Sequence, residues 1–342
     1  MTVDGIRFYG ITPDDCEGLG WRGFERERPF DRIPVCLRKL EQVYGTGQSS
    51  IGECVFFETD STRFWVRETL AYEQLGEPNF NVCAFSGVDL YIFDDDSDRW
   101  RWGGSCVNHQ CIQNRHPEYP VLEGIERKLR RCRMYLPMRN RLEHLEIGVE
   151  EGAAFKLIAP RTDHQLAYYG TSIIHGAYST RSGLGIAQIV GRGLDMPVLN
   201  LGFSGACKME PEMADMLTKL EGVDLLVVDP MHNVTPDIIR KNLEPFLDVV
   251  CQGLKGSTVV VVSAPEHLHS WLKPEIATEQ HEMQQLLQTI TARKMTVHDN
   301  LHFIDGRDFY GSDEVSADGL HPNDNAAWHM AQILDRKLRT FL

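Results

Sequence analysis

The 342-residue chain is short of positive charge: 35 lysines and arginines stand against 49 aspartates and glutamates, a formal net charge of −14. A field of that sign repels phosphate backbones and anionic headgroups, so neither nucleic acid nor a membrane is an expected partner. Long apolar runs are also missing. A membrane span needs roughly 18 such residues, and Val259–Val262 is typical of what the chain offers. The opening Met1-Thr-Val-Asp-Gly-Ile-Arg7 has neither the basic patch nor the apolar core of a secretory signal. The nine cysteines are odd in number, widely spread and without a C-x-x-C pair. Together these absences predict reduced thiols in a cytoplasmic protein, each packed as a small hydrophobe. No repeat or low-complexity tract is present. Asp94-Asp-Asp-Ser-Asp98 lacks the spaced ligands and terminal Glu of a calcium loop and reads as a solvated turn.

What is present falls into two textures. From Cys54 to Val149 the apolar segments are short and rich in β-branched and aromatic residues. Cys54–Phe57, Phe64–Leu70, Asn81–Phe85, Leu90–Phe93 and His144–Val149 read as strands, with turn-prone clusters between them. That pattern predicts an antiparallel β-sandwich. The Gly- and Pro-rich first 50 residues are expected to wrap it. The second half alternates. Strand-like Leu166–Tyr169, Val198–Leu201, Val223–Val228, Ser257–Ser263 and Leu301–Ile304 are followed by helical stretches at Gly185–Leu194, Glu210–Leu220, Pro236–Gly253, Pro274–Lys294 and Asn323–Phe341. Continuous apolar strands between helices predict a parallel sheet covered on both faces, a three-layer α/β/α sandwich. The expected division is a β-sandwich over 1–155 and an α/β domain over 156–342, with a linker at Glu150–Asp163.

In open parallel sheets, ligands bind beyond the carboxyl ends of the strands. The first strand exits into Gly170-Thr-Ser-Ile-Ile-His-Gly176, where Ser172 is a candidate nucleophile, although taken alone a serine at such a place is more often a helix N-cap or ST-turn residue. The second exits into Gly202-Phe-Ser-Gly205, whose glycines permit turns with N–H groups aimed at an anion. The third exits into Asp229-Pro-Met-His-Asn233, and the Asn233 amide is a possible oxyanion donor or a turn former. The last strand is followed by Asp318-Gly-Leu-His321-Pro, in which a carboxylate can orient an imidazole. Two other D-x-x-H pairs compete, Asp229/His232 and Asp299/His302, the latter at the wrong end of its strand.

These four segments resemble blocks I, II, III and V of the SGNH (GDSL-like) hydrolases, in a G-T-S variant. Gly87-Val-Asp-Leu-Tyr91 is similar to the G-x-D-L-Y signature of the subgroup with an N-terminal β-sandwich. Gly20-Trp21, Glu27–Pro34, Tyr135–Met138 and Leu145–Val149 extend the likeness over nearly the whole chain. The resemblance implies a flavodoxin-like catalytic domain behind a jelly-roll-like domain that resembles a carbohydrate-binding module. It implies Ser172 as nucleophile, His321 as general base and Asp318 as its orienting partner. The oxyanion hole would comprise the N–H groups of Ser172 and Gly205 and the Asn233 side chain. No cofactor or metal is called for.

Two positions depart from the family pattern: Ala206 stands where an Asn is usual, and His232 precedes Asn233. His175 is a further unusual imidazole. His175 and His232 are therefore candidate substrate-binding residues, or polar packing. The expected function is a serine esterase acting on short, acetyl-type esters of a carbohydrate or other polyhydroxylated small molecule. An acyltransferase using the same triad is the alternative, and a non-catalytic binding protein the third reading. Trp100 and Trp102 could stack on sugar rings or belong to a half-buried strand. The chain's quaternary structure, including a homo-oligomer, is left open.

Overall fold

The computed structural model describes residues 4–106 and 112–342. In chain order the elements are β1 (Ile6–Ile11), β2 (Cys16–Glu17), α1 (Glu41–Gly47), β3 (Cys54–Thr59), β4 (Arg63–Leu70), α2 (Val82–Ser86), β5 (Asp89–Asp94), β6 (Arg99–Ser105), β7 (Glu118–Glu123), β8 (Arg130–Tyr135), β9 (Leu142–Glu150) and β10 (Phe155–Leu157). There follow β11 (Gln165–Gly170), α3 (Ile186–Leu194), β12 (Val198–Gly202), α4 (Pro211–Leu217), β13 (Val223–Asp229), α5 (Pro236–Gly253), β14 (Thr258–Val262), α6 (Pro274–Met295), β15 (Leu301–Ile304) and α7 (Asp324–Leu338). They form two compact units. One comprises Met1–Val35, Gln48–Arg161 and Ser179–Leu184, the other Cys36–Gly47, Thr162–Tyr178 and Gly185–Leu342. No disulfide links the described cysteines, and Cys111 lies outside the described residues. Among the described residues no helix is long and apolar enough to cross a membrane.

The first unit is a β-sandwich. One sheet has the order β1-β9-β4-β7, and the other β10-β3-β8-β5-β6 with β2 beside β3. Every pairing is antiparallel. Alternation sets the register: in β4, Phe64, Val66, Glu68 and Leu70 are buried while the residues between them are half-buried. Phe64 and Val66 share a core with Val55 and Phe57 of β3, Cys132 and Met134 of β8, and Leu145 and Ile147 of β9. Each such side chain contributes about 1.5–3 kcal/mol by leaving water. Glu68 is the polar exception. It accepts a hydrogen bond from the Tyr119 hydroxyl at 3.0 Å, and burial pushes its carboxyl up to about 8.

Three expectations need correction here. Asn81–Phe85 is not a strand, because the Asn81 side chain accepts the Cys83 and Ala84 amides and so starts the short helix α2. The first 50 residues do more than wrap, since β1 is an edge strand of the sandwich and residues 36–47 belong to the second unit. The expected linker contains β10, which pairs with β3.

The Gly87–Tyr91 segment has a clear structural task. Asp89 is fully buried and accepts from Arg181 Nη1 at 2.7 and 2.8 Å, the Gly183 amide at 2.9 Å and the Trp102 indole at 3.0 Å. Ser182 donates to the Gly87 carbonyl at 2.8 Å. One carboxylate thus pins residues 179–184, far away in sequence, to the start of β5.

The second unit is the expected three-layer α/β/α sandwich. Its sheet is parallel throughout, in the order β12-β11-β13-β14-β15. All six residues of β11 are buried, as are the four valines of β14. One face packs Tyr168, Val227, Val260 and Val262 against Ile186 and Val190 of α3 and Ala327, Met330 and Leu334 of α7. On the other face the Tyr169 ring stacks on Phe246 of α5, and α5 packs on α4 and α6. Helix starts follow local chemistry: Pro211, Pro236 and Pro274 open α4, α5 and α6, and the side chains of Thr235 and Asn323 cap α5 and α7. The strand order reverses at β11, with β12 on one side and β13 on the other, so the ends of these strands frame the crevice where such sheets bind ligands.

Candidate active site

Ser172 stands two residues beyond β11, at that reversal. Its Oγ lies 2.7 Å from Nε2 of His321, and His321 Nδ1 lies 2.7 Å from Asp318 Oδ2. Burial alone would raise the Asp318 carboxyl; the amides of His321 and Leu320 and the His321 ring outweigh it and hold the group down at about 2. Asp318 is therefore an anion at neutral pH and can only accept. The proton between it and His321 resides on Nδ1, which leaves the Nε2 lone pair facing the Ser172 hydroxyl.

The loop carrying this pair is tied from several sides. Asp318 Oδ1 accepts the amides of Leu320 at 3.0 Å and His321 at 2.9 Å, which closes the turn, and Gly319 supplies the φ of +86° that the turn requires. The Tyr310 hydroxyl donates to the Leu320 carbonyl at 2.5 Å, and the Leu268 amide to the Gly319 carbonyl at 2.8 Å. The Asn323 amide donates to Val315 at 2.7 Å. This loop spends the imidazole's rotational freedom before any substrate arrives.

The block II loop lies under tension. Gly202 meets the backbone of the Ser172 turn so closely that a Cβ there would lie 2.2 Å from the His175 nitrogen. Gly205, Cys207 and Met209 alternate at φ of +71°, +74° and +57°, and each non-glycine residue in that region costs on the order of 1 kcal/mol. Asn233 holds the loop: its Nδ2 donates to the Phe203 carbonyl at 3.3 Å and the Ala206 carbonyl at 2.5 Å. In this geometry the Asn233 amide hydrogens serve the loop rather than an open oxyanion position. The amides of Ser172 and Gly205 carry no hydrogen bond to an acceptor among the described residues, and Gly205 is exposed.

The two unusual histidines separate. His175 is fully buried, its amide donates to the Thr171 carbonyl at 2.9 Å, and its Nδ1 lies 3.1 Å from Ser204 Oγ, which joins the block I and block II turns. That is polar packing. His232 is half-buried on the turn after β13, and its Nε2 is buried without a hydrogen-bond partner among the described residues. Burial, then the neighbouring His321 and His267 rings, depress it to about 3, so it is a neutral imidazole beside the relay. The competing D-x-x-H pairs form no relay: the His302 ring stacks on Phe341 at 4.3 Å, and Asp229 is a buried acid raised by burial to about 7.

Sequence reasoning missed Tyr178. Its ring centroid is 5.6 Å from that of His321, from a backbone held at φ +67°, and burial and then the neighbouring Asp318 raise its hydroxyl above the ordinary value. Nothing in the pattern Ala177-Tyr178-Ser179 signals this, because the left-handed backbone that aims the ring is a tertiary effect.

Comparison with known proteins identifies the family. Residues 163–339 match the GDSL-like lipase/acylhydrolase family, and residues 7–155 match the GxDLY N-terminus of SGNH-hydrolase-type esterases. The chain belongs to the GDSL-like lipase/acylhydrolase family. A crystal structure described as a putative GDSL-like lipase from Bacteroides ovatus superposes with a TM-score of 0.86 at 22% identity, over 98% of each chain. A salicylyl-acyltransferase from a tetracycline biosynthetic pathway gives 0.75 at 17% identity, over 99% of this chain and 98% of that one. An acetyl xylan esterase from Butyrivibrio proteoclasticus gives 0.58 at 14%, over 98% of each. No curated protein sequence matches the chain.

Proposed function

We propose that the protein is a serine esterase that removes short, acetyl-type acyl groups from a carbohydrate or similar polyhydroxylated molecule. The observation that carries this is the unbroken relay from Ser172 through His321 to Asp318, with both links at 2.7 Å. A serine hydroxyl is a weak nucleophile until a base takes its proton. His321 Nε2 takes it as Oγ attacks the ester carbonyl, and Asp318 stabilises the resulting imidazolium. The tetrahedral oxyanion is received by the amides of Ser172 and Gly205, with Asn233 holding the loop that presents Gly205. His321 then gives its proton to the departing alcohol, and water repeats the sequence on the acyl-enzyme.

The acyl side favours small groups. Ser172 is followed by Ile-Ile-His-Gly-Ala, of which Ile173, Ile174 and His175 are buried, and Ala206 and Cys207 are buried too. A long acyl chain gains about 0.8 kcal/mol per buried methylene, and these loops offer it no open apolar trough. The first unit fits a role as an accessory carbohydrate-binding-like domain, with the half-exposed Trp102 beside a cavity of about 600 Å3. Its companion Trp100 instead packs edge-on against Phe56 and Phe93. The thiols fit a reducing, cytoplasmic setting.

The likeness to the salicylyl-acyltransferase favours a second reading, transfer of the acyl group to an alcohol by the same relay. Measuring kcat/KM for p-nitrophenyl acetate, butyrate and octanoate tests the first. Values should fall from acetate to octanoate; a rise toward octanoate contradicts the short-acyl reading. Slow hydrolysis with fast transfer to an added alcohol establishes the second, and no turnover of any ester leaves a binding protein.

A further inference from the structure

The tetrahedral oxyanion draws on two backbone amides, those of Ser172 and Gly205, because Asn233 spends its Nδ2 hydrogens on the Phe203 and Ala206 carbonyls. Ala206 and Cys207, which follow Gly205, carry no amide side chain. The segment 36–47, which belongs to the second unit, brings one to the same loop. That segment is docked on α4. Lys39 Nζ lies 3.3 Å from Glu212 Oε1, Cys36 Sγ lies 4.0 Å from Met216 Sδ, and Val43 and Tyr44 of α1 are buried. Gln42 of α1 is exposed and faces the block II loop.

The Gln42 amide is aimed by its neighbours. Its Oε1 accepts from Lys208 Nζ at 3.3 Å, and an ammonium can only donate, so the carbonyl end faces Lys208. The other end, Nε2, carries no hydrogen bond to an acceptor among the described residues. It reaches Gly205: the place a Cβ would take on that glycine lies 2.8 Å from Nε2. Such a place is about 2.5 Å from the residue's own nitrogen, so the two donor nitrogens stand no more than about 5.3 Å apart. Two N–H groups that each reach one oxygen at about 2.9 Å can stand up to about 5.8 Å apart. One oxygen can therefore take both. A side chain at 205 would push the amide away, and glycine admits it. The Lys208 charge on Oε1 polarises the amide and strengthens its N–H as a donor.

We propose that Gln42 is a further catalytic residue, whose Nε2 donates beside the Gly205 amide to the carbonyl oxygen of the substrate. This rests on the esterase reading, and it holds equally for acyl transfer because both reactions pass through the same tetrahedral state. As Ser172 Oγ bonds to the carbonyl carbon, its proton passes to His321 and the carbonyl π pair moves onto oxygen. The hydrogen bond from Gln42 strengthens as that charge develops, so its benefit falls on the transition state rather than on substrate binding.

Kinetics and inhibitor binding on the full chain test it. Gln42→Met keeps the length of the side chain and removes the donor. It should lower kcat and kcat/KM for p-nitrophenyl acetate by a similar factor, about 10²-fold, with KM nearly constant and the urea midpoint unchanged. Trifluoroacetone adds to an active serine as a hemiketal anion, and its affinity should fall by a comparable factor. Gln42→Glu keeps an acceptor for Lys208 but has no N–H, so it should be as slow as Gln42→Met or slower. A Gln42 that only docks Lys208 would leave Gln42→Glu at the wild-type rate. Wild-type kcat in either variant, or a slow Gln42→Met that binds the ketone as tightly as wild type, overturns the proposal and leaves the esterase standing. A wild-type chain that neither turns over an ester nor binds the ketone removes the esterase and the proposal together.

Discussion

The two units bury charge in opposite ways. The sandwich holds Asp31, Arg32, Glu53, Glu68, Asp89, Arg133 and Arg141 inside, each 5% exposed or less. Arg141 grips Asp31 through two nitrogens, and Arg181 grips Asp89. The strands of the α/β unit are mostly apolar; its buried polar groups include Asn200, Asp229 and Ser263 toward the carboxyl ends and Gln165 and Ser257 at the opposite ends. The sandwich spends its buried polarity on fastening loops that a short-stranded unit cannot otherwise fix. The α/β unit rests on an apolar core and uses polar groups such as Asn233 and Tyr310 to tie the loops at its strand exits.

The sharpest way to break that contrast is to remove polar groups from each unit. In the α/β unit, Ser172→Ala and His321→Ala should each lower kcat for p-nitrophenyl acetate by about 10³-fold or more, with urea unfolding shifted by no more than about 0.5 kcal/mol. A large loss of stability would mean that the relay is structural.

In the sandwich the expectation reverses. Asp89→Ala strands the Arg181 guanidinium and should cost about 3–5 kcal/mol in urea unfolding. Arg181→Met on that background should recover part of the loss, because the uncompensated charge goes with it. An Asp89→Ala protein of unchanged stability would show that the fastening is nominal.

Glu68 offers a pH test whose effect at any one pH step is smaller. Its folded carboxyl sits at about 8 against an ordinary value of 4.5, raised by burial. The folded state thus holds the proton more tightly than the unfolded one. The contribution to stability is complete below pH 4.5 and is lost as pH rises toward 8. The slope is at most about 1.4 kcal/mol per pH unit. Glu68→Gln should flatten that decline in urea titrations across the range. Asp229, raised to about 7 in the other unit, adds a parallel slope that Glu68→Gln leaves in place. An unaltered slope in Glu68→Gln would mean that Glu68 does not titrate there.

The smallest effect belongs to His232. It is a neutral ring beside the relay rather than part of it, so His232→Ala should keep kcat/KM for p-nitrophenyl acetate within about tenfold of wild type. Loss of activity in His232→Ala with survival of His321→Ala would exchange the roles of the two imidazoles.

The same contrast explains what could be read from the sequence. In the α/β unit every strand and helix from β11 onward lies within a few residues of its expected place, because continuous apolar runs, N-terminal prolines and capping Thr235 and Asn323 are local signals, whereas α1 was not expected. The relay was legible for the same reason: its members sit at strand exits that the alternation locates. In the sandwich β3, β4, β5 and β9 were legible from short β-branched and aromatic runs, whereas β1, β7, β8 and β10 were not. Its fastenings were not, since Arg141 and Asp31 are 110 residues apart and Arg161 and Glu17 are 144 apart. Asn81–Phe85 misled because a β-like composition was overruled by one side-chain cap. Tyr178 was invisible because its left-handed backbone aims it, and the Asn233 clamp because its acceptors, Phe203 and Ala206, are brought to it by the fold.

The most direct test of the central claim is covalent labelling. Treat the native chain with a fluorophosphonate, digest it, and locate the adduct by mass spectrometry. The geometry predicts a single modification on Ser172, made slow by His321→Ala and absent in Ser172→Ala. Ester hydrolysis that persists with Ser172 unlabelled, or an adduct on another serine, would contradict it.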